Sequence, residues 1–243
     1  MAGDALIIVD VQNDFCPGGS LPVPRGDEVV PRLNKYIEAA LAAGIPIFAS
    51  RDWHPANTRH FAQHGGVWPT HCERGTSGAA FHPALEHVDR MRIVTKGTGT
   101  QDDGYSAFEG YLTDLSGADV DEDGALIPSA KRKKKVSLGE VLQSTGVTRV
   151  FVGGLATDYC VKQTVLDALN PLRADSKLQT DEQRAYKPGL AVIWLRDASL
   201  PVEVKPGDGE QAERDMLAAG ARAITFAQFE QLLKSPESAS AGR

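Results

Sequence analysis

Ala5-Leu-Ile-Ile-Val9 is an uninterrupted apolar run that stops at Asp10. A short run of this kind, without alternating polar residues, is typical of a strand buried on both faces of a parallel sheet. Five more apolar-rich runs predict further strands: Ile45-Pro-Ile-Phe-Ala49, Met91-Arg-Ile-Val-Thr95, Arg149-Val-Phe-Val-Gly153, Leu190-Ala-Val-Ile-Trp-Leu195 and Ala223-Ile-Thr225. The sequence therefore predicts six strands, and what lies between them decides the fold.

Helical segments lie between most of these strands. Apolar residues at helical spacing and glycine stops predict helices over residues 29–43, 136–145, 158–169, 209–219 and 227–233. We expect Asp158 to cap the third helix. Alternating strands and helices imply right-handed crossovers and a mainly parallel sheet with helices on both faces. The prediction is one α/β domain over residues 1–243, a Rossmann-like three-layer fold with six strands.

Three polar segments interrupt or follow this pattern. Residues 113–136 and 171–188 are predicted to be surface insertions, and residues 235–243 a flexible tail. The basic run Lys131-Arg-Lys-Lys-Lys135 could be a nuclear address or a nucleic-acid patch, but its acidic neighbours favour a solvated loop.

The overall charge and composition narrow the classes of function. A net charge of -6 makes the chain a poor general binder of nucleic acid or of anionic membranes. No apolar run approaches the roughly 20 residues that span a bilayer, and no secretory signal precedes the first strand. Three widely spaced cysteines do not form a disulfide framework. We therefore expect a cytoplasmic protein without a nucleic-acid or membrane partner.

Polar residues follow the predicted strands where their carboxyl ends should meet. Asp10, Asp52 and Lys96 each come at or just after such an end, and Cys160 follows the strand that closes with Gly153-Gly154. Ligands bind at this edge of open parallel sheets. Cys160 should start a helix, whose dipole lowers a thiol pKa and whose N–H groups can hold an oxyanion. Taken singly, the cysteine could be structural, the aspartate a turn cap and the lysine solvated.

A second polar group surrounds Asp52. His54 lies two residues further on, and Trp68-Pro-Thr-His71 follows in the next loop. Imidazole and carboxylate ligands bind Zn²⁺ or Fe²⁺ well. The spacing alone leaves open whether these side chains hold a metal or are simply solvated.

Six sequence segments together resemble those of a known family. The segments are Ile8-Val-Asp10-Val-Gln-Asn-Asp-Phe15-Cys-Pro-Gly-Gly19-Ser-Leu, Ser50-Arg-Asp52-Trp-His54-Pro, Trp68-Pro-Thr-His71-Cys72, Thr95-Lys96-Gly97, Tyr105-Ser-Ala-Phe108 and Gly153-Gly-Leu-Ala-Thr-Asp-Tyr-Cys160-Val. In kind, order and extent they resemble the nicotinamidase/pyrazinamidase family of isochorismatase-like cysteine hydrolases.

The resemblance implies a catalytic triad and a neighbouring metal site. The triad would be Asp10, Lys96 and Cys160. The metal ligands would be Asp52, His54 and His71, with His60 in the remaining ligand position and His64 as its competitor. One divalent ion is implied, with Zn²⁺ as the first choice and Fe²⁺ or Mn²⁺ as alternatives.

The resemblance also implies the walls of a substrate pocket. Phe15, Trp68, Tyr105 and Tyr159 would enclose a pyridine ring. The Leu155–Ala156 peptide resembles one that is cis in the family. In that family, the N–H groups at the positions of Ala156 and Cys160 form the oxyanion hole.

The activity implied is the cleavage of nicotinamide to nicotinate and ammonia through a cysteine thioester. Such an enzyme serves NAD salvage, and pyrazinamide would be a second substrate. One alternative is a related cysteine amidase acting on another small amide, against which the metal motif argues. Another is a non-catalytic binding protein on the same fold, against which the intact Asp10, Lys96 and Cys160 argue. A homo-oligomer stays open.

Overall fold

The structure, a computed structural model, describes residues 3–119, 135–170 and 189–234. The strands are β1 (Asp4–Val9), β2 (Ile47–Asp52), β3 (Arg92–Lys96), β4 (Tyr111–Thr113), β5 (Arg149–Leu155), β6 (Ala191–Leu200) and β7 (Arg222–Ile224). The α-helices are α1 (Val29–Ala42), α2 (Leu138–Ser144), α3 (Lys162–Leu169), α4 (Asp208–Ala218) and α5 (Phe226–Lys234). The insertion predicted at 171–188, the tail at 235–243 and most of the insertion at 113–136, including residues 131–134 of the basic run, lie outside the described residues.

The strands form one sheet in the order β4-β3-β2-β1-β5-β6-β7. All six predicted strands are present and mutually parallel, which confirms the α/β class. The predicted strand number is wrong by one, because β4 adds an antiparallel edge beside β3. With only three residues, β4 is too short to show a strand period, and its pairing with β3 is what extends its backbone.

Helices cover both faces of the sheet. On one face α1 packs Leu33 and Ile37, and α5 packs Phe229, against alternate residues of the central strands. On the other face α2, α3 and α4 bury residues such as Val141, Val165 and Met216 against the remaining ones. In a strand, neighbouring side chains point to opposite faces, so a continuous apolar run supplies both cores at once. Within the described ranges, no helix has the length and apolar character needed to cross a bilayer.

The order of the strands reverses between β1 and β5. From β1 the chain passes outward to β2, β3 and β4, whereas β5, β6 and β7 continue on the opposite side. A cleft opens at such a switch point, beyond the carboxyl ends of the two central strands. Gly154 allows these strands to approach there, because it pairs with Val9 at a φ of +132° and leaves no room for a side chain. Asp10 and the turn that carries Cys160 begin at this contact.

We expect Gly154→Ala to destabilise the fold strongly. A Cβ at this position would lie 2.1 Å from the Val9 carbonyl oxygen, in a backbone conformation that side chains rarely adopt. Strain and overlap together should lower the free energy of unfolding by at least about 3 kcal/mol, as measured by urea denaturation. Gly146→Ala is the matched control, since Gly146 has a φ of +69° but nothing within 4 Å of its added Cβ. It should cost about 1 kcal/mol, and equal losses for the two variants would contradict this interpretation of Gly154.

Candidate active site

The buried ammonium group of Lys96 lies at the centre of the site. Its Nζ atom is 2.7 Å from Asp10 Oδ2, 2.5 Å from Asp52 Oδ1 and 3.6 Å from Cys160 Sγ, and it donates to the Gly104 carbonyl at 2.6 Å. Burial alone would lower the pKa of Lys96, but the two carboxylates outweigh it and raise that pKa well above its usual value. Lys96, the last residue of β3, is therefore a fixed positive charge that contacts the carboxylates at the ends of β1 and β2.

Asp10 leaves β1 with a φ of +48°, a conformation that turns the chain away from the sheet. The Ser50 hydroxyl donates to Asp10 Oδ1 at 2.7 Å, while Oδ2 faces Lys96. A carboxylate oxygen of Asp10 and the Cys160 sulfur lie within 4.8 Å of each other. Burial raises the pKa of Asp10 to about 6, with Lys96 opposing the shift. An ionised Asp10 at neutral pH could accept a proton from the thiol.

Cys160 lies on a π-helical turn, Thr157–Val161, that joins β5 to α3. The sequence predicts a lowered thiol pKa at a helix start, and the structure shows the opposite. Burial raises the pKa of Cys160 well above its usual value, although Lys96 acts in the other direction, and the nearby Asp10 raises it further. The thiol is thus neutral at rest and needs a base. The preceding Leu155–Ala156 peptide is cis, as the family resemblance implies.

Asp158 does not have its predicted role as a helix cap. No side chain caps this turn, whose N-terminal flanking residue is Ala156. The Asp158 carboxylate instead accepts hydrogen bonds from the backbone N–H groups of Val202 and Glu203, both at 2.9 Å. A short acidic side chain at a helix start can accept from N–H groups of its own helix or of a neighbouring segment. Here the donors belong to the loop after β6.

Three histidines form a buried cluster beside Asp52. A ring nitrogen from each of His54, His60 and His71 lies within 4.8 Å of the others. Nδ1 of His54 faces the Gly97 carbonyl at 3.0 Å, and Nδ1 of His71 faces the Pro69 carbonyl at 2.8 Å. In the neutral form of either ring, Nδ1 must donate to this carbonyl, which leaves the lone pair of Nε2 available.

This donor set fits a divalent metal ion. His54 Nε2 is buried without a hydrogen-bond partner and lies 3.6 Å from Asp52 Oδ2. Burial lowers the pKa of His60 to about 4 and also lowers that of His71, so both rings are neutral, as metal ligands must be. Three imidazoles and a carboxylate are a ligand set typical of Zn²⁺.

His60 and His64, which the sequence could not distinguish, occupy different environments. His60 is buried in the cluster, and its Nδ1 is also 3.6 Å from Asp103. His64 is exposed, with Nε2 facing the Ala56 carbonyl at 3.0 Å. The fourth ligand position therefore fits His60, and His64 belongs to the surface.

A pocket lies between the thiol and the histidine cluster. It is lined by Phe15, Leu21, Asp52, His60, Trp68, His71, Tyr105, Ala156, Tyr159, Cys160 and Val202. All four predicted wall residues are among them. The Trp68 indole N–H donates to the Tyr105 hydroxyl at 2.8 Å, and the Trp68 and Tyr159 rings meet edge to face with centroids 4.9 Å apart. A flat aromatic ring is the kind of ligand that such walls accommodate.

Gln12 also belongs to the site, although no pattern in the sequence indicates it. Its side chain accepts from the Asp52 N–H at 2.7 Å and donates to the Asp52 carbonyl at 2.8 Å. It also donates to the Ala79 carbonyl at 2.9 Å. After β1 ends at Val9, this amide supplies β2 with the hydrogen bonds that another peptide group would make. Gln12 thereby fixes the backbone of the residue that lies between Lys96 and His54.

Known proteins resemble the chain over nearly its whole length. Residues 4–118 match the Isochorismatase domain family. The nicotinamidase of Escherichia coli is 36% identical, and the match covers 93% of this chain and 97% of that protein. The pyrazinamidase of Pyrococcus horikoshii, solved in complex with zinc, has a TM-score of 0.70 at 35% identity, covering 92% of this chain and 99% of that one. The PnC1 protein of L. infantum, solved in complex with nicotinate, has a TM-score of 0.68 at 30% identity, covering 93% and 94%.

We expect Gln12→Glu to weaken metal binding. A carboxylate can still accept from the Asp52 N–H, but it cannot donate to the carbonyls of Asp52 and Ala79, so Asp52 should shift. The affinity for Zn²⁺, measured by competition with a chromogenic chelator, should fall about tenfold or more. Asn13→Ala is the control, because Asn13 donates to the Ser77 carbonyl and does not touch Asp52. Unchanged affinity in Gln12→Glu would show that Asp52 holds its place without this amide.

Proposed function

We propose that this chain, which belongs to the nicotinamidase family of isochorismatase-like hydrolases, cleaves nicotinamide to nicotinate and ammonia through a thioester on Cys160. Membership of that family makes the chain an enzyme that hydrolyses amides. The observation that carries the choice of substrate is the pocket itself. One side presents the Cys160 thiol, behind which lie the buried base Asp10 and the positive charge of Lys96, and the other side presents the buried cluster of metal-binding groups. In a pyridine carboxamide, the carboxamide would face the thiol and the ring nitrogen would face the metal-binding cluster.

Acyl transfer would begin with proton transfer from Cys160 Sγ to the Asp10 carboxylate. The sulfur attacks the carboxamide carbon, and the carbonyl oxygen takes up the negative charge. The N–H groups of Ala156 and Cys160 would donate to this oxyanion. The C–N bond then breaks as Asp10 returns the proton to the leaving nitrogen, which departs as ammonia. The product of this half-reaction is a thioester between Cys160 and the nicotinoyl group.

Hydrolysis of the thioester would use Asp10 as the base a second time. Asp10 takes a proton from water, and the oxygen attacks the thioester carbon. Collapse of the intermediate breaks the C–S bond, and the proton passes from Asp10 to the sulfur, which restores the neutral thiol. The acid that is formed loses its carboxyl proton to water and leaves as nicotinate. Lys96 stays protonated throughout, because its contacts with Asp10 and Asp52 favour the charged form. It holds Asp10 in place beside the thiol.

Asp52, His54, His60 and His71 would hold the metal ion, which we propose is Zn²⁺. When bound, the ion would act as a Lewis acid toward the pyridine nitrogen and so help to orient the ring. The P. horikoshii relative solved with zinc supports this choice of metal. Phe15, Trp68, Tyr105 and Tyr159 would enclose the ring and exclude water.

The biological setting is part of the same proposal. Release of nicotinate from nicotinamide would serve NAD salvage. Pyrazinamide has a similar ring nitrogen and carboxamide, so we propose it as a second substrate. A reducing cytoplasm suits an enzyme that keeps a free catalytic thiol, and Cys16, Cys72 and Cys160 are all free.

Ammonia release from nicotinamide tests the proposed function. The wild-type enzyme should release ammonia and nicotinate in equal amounts, lose activity on chelation and regain it with Zn²⁺. Cys160→Ser should lower kcat by about a thousandfold or more, because a hydroxyl beside Asp10 is a far weaker nucleophile. Cys16→Ala is the matched control and should keep near-normal kinetics, since Cys16 is buried in the apolar core and is not one of the residues that line the pocket. A Cys160→Ser variant with substantial activity would exclude the thioester route.

We expect His71→Ala to lower the bound metal and to raise KM for nicotinamide by about tenfold or more, because the ring loses its anchor. Benzamide has the carboxamide but no ring nitrogen. It should therefore be a poor substrate of the wild-type enzyme, and the difference between the two amides should shrink in the variant. His64→Ala, which alters an exposed histidine, is the control for both metal content and kinetics.

Metal analysis of the purified proteins together with kinetics on both amides decides the matter. Metal-free wild-type enzyme that hydrolyses nicotinamide and benzamide equally well would leave the histidine cluster a structural role only.

A further inference from the structure

The carboxylate of Asp158 joins two parts of the site that the mechanism treats separately. Asp158 lies two residues before Cys160, on the turn that carries the nucleophile, and it is buried. Its Oδ1 accepts from the Val202 N–H and its Oδ2 from the Glu203 N–H, both at 2.9 Å. Two hydrogen bonds to a carboxylate from consecutive peptide groups hold a backbone in both position and orientation. The loop between β6 and α4 is thereby tied to the nucleophile turn.

The side chain of Glu203 ties the start of this loop to the beginning of α4. This residue has a φ of +55°, which is unfavourable for a non-glycine residue and persists only where surrounding contacts enforce it. Its carboxylate accepts from the N–H groups of Gly207 and Gly209 at 2.7 and 2.9 Å, where α4 begins. Asp158 and Glu203 thus clamp residues 202–209 as a rigid segment between the nucleophile turn and a helix.

Val202 is the residue of this segment that reaches the pocket. It lines the cavity together with Ala156, Tyr159 and Cys160, and it packs against the core cluster that includes Phe15. Its backbone N–H is one of the two that Asp158 holds. The Asp158 side chain therefore links this wall directly to the turn that carries the nucleophile.

We propose that Asp158 is a positioning residue that fixes Val202 relative to Cys160 and so restricts the enzyme to small, unsubstituted six-membered aromatic carboxamides. The proposal rests on the proposed function, of which it specifies the substrate class. In a close-packed pocket, one additional methyl group on a ligand needs a wall that can move. The two hydrogen bonds that Asp158 accepts from the Val202 and Glu203 N–H groups oppose such a movement.

Kinetics on ring-methylated nicotinamides tests the proposal. The quantity measured is the ratio of kcat/KM for nicotinamide to kcat/KM for each of the 2-, 4-, 5- and 6-methyl derivatives. In Asp158→Asn the amide can accept only one of the two N–H groups, and its NH₂ group faces the other, so the loop should move outward. The largest discrimination ratio should fall about tenfold, with a larger rise in KM for nicotinamide than loss of kcat.

Two further variants separate positioning from folding. Val202→Ala leaves the clamp intact but shortens the wall, so it should lower the same ratio by a similar factor, and the double variant should lower it no further. Asp208→Asn is the control, since Asp208 accepts from the Lys205 N–H in this loop without holding a pocket residue. Its ratio should equal that of the wild type. An Asp158→Asn enzyme that slows equally on every amide, or a Val202→Ala enzyme with unchanged discrimination, would overturn the proposal.

Alkylation of Cys160 supplies a readout that does not depend on the substrate. The thiol attacks the CH₂ carbon of iodoacetamide or of the bulkier N-phenyl-iodoacetamide, iodide leaves, and the thiol proton passes to Asp10 or water. Mass spectrometry of the Cys160 peptide gives the two rates. The wild type should favour the small reagent, and Asp158→Asn should reduce that preference severalfold. A wild type inactive on nicotinamide would refute the proposed function, whereas an unchanged alkylation preference would refute the role of Asp158.

Discussion

The contact between one buried ammonium group and two buried carboxylates is the constraint on which the site depends. A charge placed in the interior costs several kcal/mol unless it is paired and hydrogen-bonded. Lys96 meets this condition only because β1, β2 and β3 are adjacent and parallel, which brings Asp10, Asp52 and Lys96 to one edge. Asp52 and Lys96 are direct partners in the register of β2 and β3, so a slip of one residue would separate their side chains. The ion contacts therefore require the same register that the apolar runs favour.

Asp52 makes the two halves of the site interdependent. Oδ1 faces Lys96, and Oδ2 faces His54 Nε2 at 3.6 Å. Burial alone would raise the pKa of Asp52, but Lys96 and His54 lower it well below its usual value and keep the carboxylate ionised. One negative charge thus stabilises the ammonium group of Lys96 and lies beside the histidine cluster. The backbone of this residue is held by Gln12, whose amide continues a ladder that β1 itself no longer provides.

The sequence was sufficient for features whose cause is local and insufficient for those set by distant contacts. Apolar runs predicted six strands, and the polar residues that follow them are brought to one edge. The short strand β4 was missed because its pairing with β3, rather than its own sequence, extends it. The sequence around Asp158 predicts a helix cap, because nothing nearby in the sequence indicates the N–H donors that it binds, which lie more than forty residues further along the chain. The thiol pKa of Cys160 was predicted in the wrong direction because a helix start is visible in a sequence and burial is not.

The raised pKa of the thiol bears on how the nucleophile would form. Burial holds Cys160 neutral, and it raises the pKa of Asp10 only to about 6, so the resting pair at neutral pH is a thiol and a carboxylate. Transfer of the proton between them is uphill in the free enzyme, because the pKa of the thiol lies above that of Asp10. The negative charge would move from a carboxylate that contacts Ser50 and Lys96 to a buried sulfur. In the proposed mechanism an amide in the pocket would change this balance, since its carbonyl oxygen would take up the charge where N–H groups could donate to it. The nucleophile would therefore become reactive chiefly toward a ligand that fills the pocket, and the wall formed by Val202 decides which ligands can do so.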